Sequence, residues 1–165
     1  MKHLLNKIKD TKAVIGIIGL GYVGLPLAKT FVSKSFKVIG FDNDSSKLEL
    51  LKQGKSYINH INSKDISYML EKKLFHVTDQ YKYIKKCDVI ILCVPTPLTK
   101  NLQPDLYPIK NTAKNIYKFL KRDQLVVLES STYPGTTDEI LSPILELSGL
   151  NVKKDFYLAY SPERE

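Results

Sequence analysis

Val14-Ile15-Gly16-Ile17-Ile18-Gly19-Leu20-Gly21-Tyr22-Val23-Gly24 is the stretch on which the reading of this chain turns. A short apolar run suits a buried strand, Gly19, Gly21 and Gly24 fill the pattern G-x-G-x-x-G, and the residues from Leu25 to Phe31 follow with helical spacing. Strand, tight turn and helix in that order predict the first unit of a dinucleotide-binding sheet. The first glycine permits the turn, the second lets a pyrophosphate approach the backbone, and the third lets helix pack closely on strand. Phosphates then lie among unpaired N–H groups at the positive helix terminus. Alone the pattern is weak, because glycine-rich turns occur in many α/β proteins that bind no nucleotide.

A second apolar stretch, Phe36-Lys37-Val38-Ile39-Gly40-Phe41-Asp42, ends in an acid at the spacing of ~20 residues that a ribose-binding carboxylate requires. Asp42 suits an adenosine ribose, and its charge repels a 2′-phosphate, which favours NAD over NADP. The competing reading is that Asp42 begins the turn Asp42-Asn43-Asp44-Ser45, with Asp44 or Ser45 capping the next helix.

The rest of the chain alternates helical and strand periods, the pattern of a parallel sheet with crossover helices. Helices are expected over 45–53, ending at Gly54, over 63–72, capped by Ser63 or Asp65, and over 105–120, capped by Asp105 with Pro108 in its first turn. Thr136-Thr137-Asp138-Glu139 has capping-box spacing and predicts a helix to Leu147, kinked at Pro143. Further strands are expected at 74–77, 88–94, 125–128 and 156–160. Residues 55–62 fit neither period. The expected fold class is α/β, a doubly wound, three-layer Rossmann fold with a mainly parallel six-stranded sheet in the order 3-2-1-4-5-6.

With 165 residues the chain has the size of one domain. The domain is expected over 13–165, after a basic N-terminal extension over 1–12. That extension precedes an apolar run too short for a signal peptide or membrane span, so a cytoplasmic location and no membrane partner are expected. The net charge of +8 is spread over scattered lysine pairs with acids between them. No basic run is interleaved with aromatics, which argues for a solvated surface and against nucleic acid as a partner. Cys87 and Cys93 fit neither a metal site nor a redox pair, and are expected on one side of a buried strand. His3, His60 and His76 are isolated, so no metal is expected.

In an open α/β sheet, ligands bind outside the carboxyl ends of the strands. Those ends carry the glycines, Asp42, Pro95-Thr96-Pro97, Glu129-Ser130-Ser131-Thr132 and Ser161-Pro162-Glu163-Arg164-Glu165. Each loop alone reads equally as a strand exit, a turn former or a solvated chain end. Their convergence on one edge is what makes them candidates.

Four motifs in order, Gly19-Leu-Gly-Tyr-Val-Gly-Leu-Pro-Leu-Ala28, Val94-Pro-Thr-Pro-Leu-Thr-Lys-Asn101 with Pro104-Asp105, Leu128-Glu-Ser-Ser-Thr-Tyr-Pro-Gly-Thr-Thr137 and Tyr160-Ser-Pro-Glu-Arg-Glu165, resemble the UDP-glucose/GDP-mannose dehydrogenase family. Within it the chain is most similar to the UDP-N-acetylglucosamine or UDP-N-acetylgalactosamine 6-dehydrogenases of bacterial surface-polysaccharide pathways. The resemblance implies oxidation of a sugar C6 hydroxyl to a carboxylate with two NAD. It implies that Gly19, Gly21, Tyr22, Val23, Gly24, Asp42, Lys47, Val94, Thr96, Ser131 and Thr132 form the cofactor site. Glu163, together with Thr132, falls at the family's catalytic positions, and Glu163, Arg164 and Glu165 fall where the loop meets substrate.

Family members carry a nucleophilic cysteine and a lysine, a central helix that makes a homodimer, and a UDP-binding domain, all beyond the region matched here. Neither Cys87 nor Cys93 matches the nucleophile's motif. These 165 residues alone are therefore expected to bind NAD without turning over a UDP-sugar. The alternative is a stand-alone NAD-binding or sensing module.

Overall fold

Six short apolar runs set the architecture. In the computed structural model, which describes residues 2–99 and 101–162, they form strands β1 (Val14–Ile18), β2 (Lys37–Phe41), β3 (Phe75–Thr78), β4 (Val89–Leu92), β5 (Leu125–Leu128) and β6 (Tyr157–Tyr160). All pair in parallel in the order β3-β2-β1-β4-β5-β6. The register sets Ile18 beside Phe41 and Leu92, and Leu92 beside Leu128. The carboxyl ends of these four strands therefore finish level, and their outgoing loops share one edge.

Helices α1 (Lys2–Lys9), α2 (Gly24–Ser33), α3 (Ser45–Lys52), α4 (Ser63–Glu71), α5 (Tyr107–Ile116) and α6 (Ser142–Glu146) supply the two outer layers. Ile15, Ile17, Val89 and Ile91 join the cluster built with Leu4, Leu25, Leu48 and Ile66 of the first four helices. Ile18, Ile90 and Leu92 join Ile109, Ile116 and Leu145 of α5 and α6. Successive residues of β1 and β4 thus serve opposite layers, which is why these strands read as continuous apolar runs.

The first twelve residues carry more structure than their sequence shows. Leu4 is buried, and the Lys7 ammonium reaches Asp88 Oδ1 at 2.8 Å. Asp88 Oδ2 accepts the Val14 N–H at 3.0 Å. One carboxylate thus ties α1 to the start of β1. Burial pushes the Asp88 carboxyl up, but the hydrogen bonds from Lys7 and Val14, with the charges of Lys7 and Lys121, outweigh that and hold it below its ordinary value.

Several local expectations are corrected. β4 begins only at Val89, and Cys87 closes the 3-10 helix Tyr81–Lys86, where strand alternation does not apply. Cys87 lies in the α5–α6 layer while Cys93 packs against the other. Burial pushes the Cys87 thiol up to about 12, so it is an inert packing group. The N-cap of α4 is Asn62, whose N–H donates to the Asp65 carboxylate at 3.2 Å. Ser63, freed from that role, accepts the Ser56 N–H. The stretch expected as a helix over 105–120 is α-helical only from Tyr107 to Ile116 and then tightens to a 3-10 helix, although Asp105 does accept the Tyr107 N–H at 2.8 Å.

At 136–139 no capping box forms, because the Thr136 hydroxyl donates to the Tyr133 carbonyl at 2.9 Å. The chain runs instead as a π-helix over Thr136–Leu141 before α6, and Pro143 falls in the first turn of α6. A missing N–H is harmless there, and the wider segment ahead of it takes up the break a proline causes inside one continuous helix.

Candidate cofactor site

The three glycines of the first turn are there for different reasons. Gly19 has φ +91°, its N–H donates to the Phe41 carbonyl at 2.8 Å, and a Cβ would fall 2.5 Å from the Cys93 carbonyl oxygen. At Gly24 a Cβ would sit 1.8 Å from the Gly19 carbonyl oxygen, so α2 seats on the turn only without one. Packing demands both. Gly21 has no positive φ, and a Cβ there would meet nothing within 4 Å. Neither conformation nor packing within the chain calls for glycine at 21, and the open space lies at the start of α2. The Tyr22 and Val23 amides there donate to no backbone carbonyl among the described residues. A dinucleotide's pyrophosphate fits this cradle: it needs both the missing side chain and the unpaired amides.

Asp42 follows β2 directly and sits against the turn. Its Oδ2 accepts the Leu20 N–H at 2.9 Å, its Oδ1 accepts the Asp44 N–H at 3.0 Å, and the Lys47 ammonium stands 3.9 Å from Oδ2. Asp44 in turn caps α3 by accepting the Ser46 and Lys47 amides. The carboxylate is thus part of the turn and also part of the cleft wall. A carboxylate offers about four lone-pair positions, so two backbone bonds leave capacity for a ribose diol.

The turn, Asp42 and the loops after β4 and β5 enclose a cleft of about 670 Å³. Of the residues singled out from the sequence, Gly19, Gly21, Tyr22, Val23, Asp42, Lys47, Val94, Thr96 and Ser131 line it. Gly24 lies beneath, buried. The two loops are stitched by hydroxyls: Thr96 Oγ1 donates to the Ser131 carbonyl at 2.7 Å, and Ser130 Oγ donates to the Val94 carbonyl at 2.6 Å. Thr132 is off the cleft wall, its hydroxyl 2.8 Å from that of Thr136. Because the Thr136 proton goes to Tyr133, Thr132 is the donor of that pair. Glu163, Arg164 and Glu165 lie outside the described residues.

Sequence reasoning missed part of the wall. Phe41 and Tyr81 stack at 6.1 Å with ring planes 7° apart, and both line the cleft. Tyr81 opens a lysine-rich stretch that reads as surface, so nothing local marked it. Tyr107, Asn111 and Thr112 of α5 complete that side. Thr112 did leave a signal, as a buried hydroxyl beside the apolar stripe of Ile109, Ala113 and Ile116. Among the described residues no group of three His, Cys, Asp or Glu side chains is arranged to hold a metal, and no helix is long and apolar enough to cross a membrane.

Residues 13–165 match the model of the UDP-glucose/GDP-mannose dehydrogenase family, NAD binding domain. The chain is 40% identical over 158 residues to UDP-N-acetyl-D-glucosamine 6-dehydrogenase of Pseudomonas aeruginosa, covering 95% of this chain and 36% of that one. It is 42% identical over 151 residues to Protein CapL of Staphylococcus aureus, covering 91% of this chain and 34% of the other. The crystal structure of a ternary complex of GDP-mannose dehydrogenase from Pseudomonas aeruginosa superposes with a TM-score of 0.86 at 31% identity, covering 91% of this chain and 36% of that chain. The chain therefore spans about a third of the length of these relatives.

Proposed function

The chain belongs to the UDP-glucose/GDP-mannose dehydrogenase family, within its NAD binding domain, and from that premise we propose that it holds the cofactor for oxidation of a UDP-N-acetylhexosamine at C6. The reaction converts the C6 hydroxyl to a carboxylate for surface-polysaccharide synthesis in the cytoplasm. The observation that carries the cofactor reading is the empty space beside Gly21, where the chain itself gives no reason for a glycine. NAD bound there supplies the hydride acceptor. In this reading the Gly21, Tyr22 and Val23 amides hold the pyrophosphate, and Asp42 accepts from the adenosine ribose. Lys47 sets the charge beside that carboxylate, and Val94, Thr96 and Ser131 border the far half of the cleft. Thr132 steadies the β5 loop from behind, and Glu163, Arg164 and Glu165 meet the sugar.

Residues 13–165 act as the cofactor unit of a longer homodimeric enzyme, in which other segments bind UDP and carry the nucleophile. The buried, poorly ionisable Cys87 supports that division. A titration of NADH followed by cofactor fluorescence tests the reading, in a chain with no tryptophan to interfere. Saturable binding, weakened in Asp42→Ala, is expected, and unchanged affinity in that variant removes the ribose assignment. Steady NADH production from NAD and UDP-N-acetylglucosamine by these 165 residues would overturn the division of labour.

A further inference from the structure

We propose that Tyr57 is a positioning residue for the cofactor, aiming the Gly21 N–H at the pyrophosphate by holding the carbonyl of the same peptide. Tyr57 lies in the irregular segment between α3 and α4, which neither helical nor strand periodicity explains. Its hydroxyl donates to the Leu20 carbonyl at 2.5 Å. Asp42 takes the Leu20 N–H from the other side. Leu20, the residue between the first two glycines, is therefore gripped at both backbone polar groups by residues from two later parts of the chain.

The consequence follows from peptide geometry. In a trans peptide the carbonyl of one residue and the N–H of the next point in opposite directions across one plane, and the described residues contain no cis bond. Holding the Leu20 carbonyl toward Tyr57 turns the Gly21 N–H the opposite way. Without that hold the peptide is free to flip, since glycine tolerates both orientations of the unit ahead of it. A flipped peptide would present a carbonyl oxygen where an anion is to bind.

Tyr57 is not on the cleft wall, so it acts through Leu20. Its ring is fixed among the apolar residues of the α1–α4 layer, with the Lys47 ammonium 5.8 Å from the ring centroid. Burial, and then the Asp42 and Asp44 charges, push the phenol well above its ordinary value, so the hydroxyl remains a donor wherever the protein works. Lys47 thereby braces both residues that grip Leu20, standing 3.9 Å from Asp42 Oδ2 and 5.8 Å from the Tyr57 ring centroid.

The inference rests on the cofactor reading, and the experiment separates the two. Tyr57→Phe removes the hydroxyl and keeps the ring. Relative to wild type, it is expected to weaken NADH and ADP by about tenfold each, the size of one oriented hydrogen bond to a charged group. Adenosine, which has no phosphate, should bind both proteins with the same affinity once the weaker NADH binding of the variant is taken into account in the competition. A purely structural Tyr57 would weaken all three ligands together, and that result, or unchanged affinity for ADP, overturns the proposal. Should the variant not fold, the Gly21 amide resonance of the wild-type chain decides: a shift with ADP but not with adenosine supports the aimed N–H, and no shift with ADP overturns it. A wild-type chain that binds no NADH at all fails the cofactor reading first.

Discussion

The two banks of the cleft are built in different ways. On one bank, the turn from Gly19 to Gly24 packs backbone on backbone, Gly19 against the Cys93 carbonyl and Gly24 against the Gly19 carbonyl, and the Asp42 and Tyr57 side chains hold Leu20 at both of its backbone groups. On the other, the loops after β4 and β5 are joined by two hydroxyl-to-carbonyl bonds, from Thr96 and Ser130, and carry the exposed side chains Leu98, Leu102, Tyr107 and Tyr133 nearby. Close packing of backbone has no slack, so the first bank presents one fixed shape to a ligand. Side-chain hydroxyls leave the second more adjustable.

The largest test of this contrast is Gly24→Ala. A methyl group 1.8 Å from a carbonyl oxygen forces α2 off the turn, and the loss should be about 3 kcal/mol, read as a lowered denaturation midpoint with NADH binding lost alongside. A variant that keeps both would show the first bank to be as yielding as the second. Asp88→Asn, at the amino end of the sheet, is expected to cost about 2 kcal/mol by breaking the Lys7 and Val14 contacts. NADH affinity should be unmoved, since the cleft lies at the other end. Because the folded Asp88 carboxyl is held below its ordinary value, its contribution is full above the unfolded value of ~4 and disappears as pH falls through the folded one. The acid limb of wild-type stability should therefore flatten in Asp88→Asn, and an identical limb would remove the role given to the pair.

Gly21→Ala sharpens the contrast within the turn. The methyl group meets only open space, so stability should change by less than ~1 kcal/mol. NADH affinity should nevertheless fall by at least about tenfold. Equal loss of both would mean that Gly21 serves the fold. The smallest effects belong to the second bank. Ser130→Ala should cost about 1 kcal/mol, and Thr96→Val, at a more exposed bond, about 0.5 kcal/mol, each measurable by denaturant titration. A Thr96→Val loss as large as that of Gly24→Ala would erase the distinction between the banks.

The sheet was legible because its strands are short, apolar on both faces and punctuated by glycine, proline or acid. β1 and β5 occupy the expected residues, and the strand order is the one a doubly wound sheet requires. Most of what was hidden depends on partners distant in sequence. α1 reads as a polar extension until Leu4 and Lys7 find the core and Asp88. Tyr57 reads as part of a patternless stretch until it meets Leu20. The capping box at 136–139 was plausible locally, yet Thr136 is drawn to Tyr133 and Thr132. At the site, the glycines and Asp42 announced themselves by spacing, whereas Tyr81 and the α5 residues reached the cleft only through packing.

The sequence by itself determined that this is a parallel α/β sheet with a dinucleotide turn after β1 and an acid after β2. Periodicity and glycine chemistry act over a few residues and need no knowledge of the rest. Only the tertiary structure decided what surrounds each glycine, and which side chains hold the turn. Gly19 and Gly24 answer to carbonyl oxygens brought against them by the fold, Gly21 answers to empty space, and Leu20 is gripped by residues 22 and 37 positions away. Contacts of that kind are set by the meeting of strand ends in three dimensions, where sequence distance no longer counts.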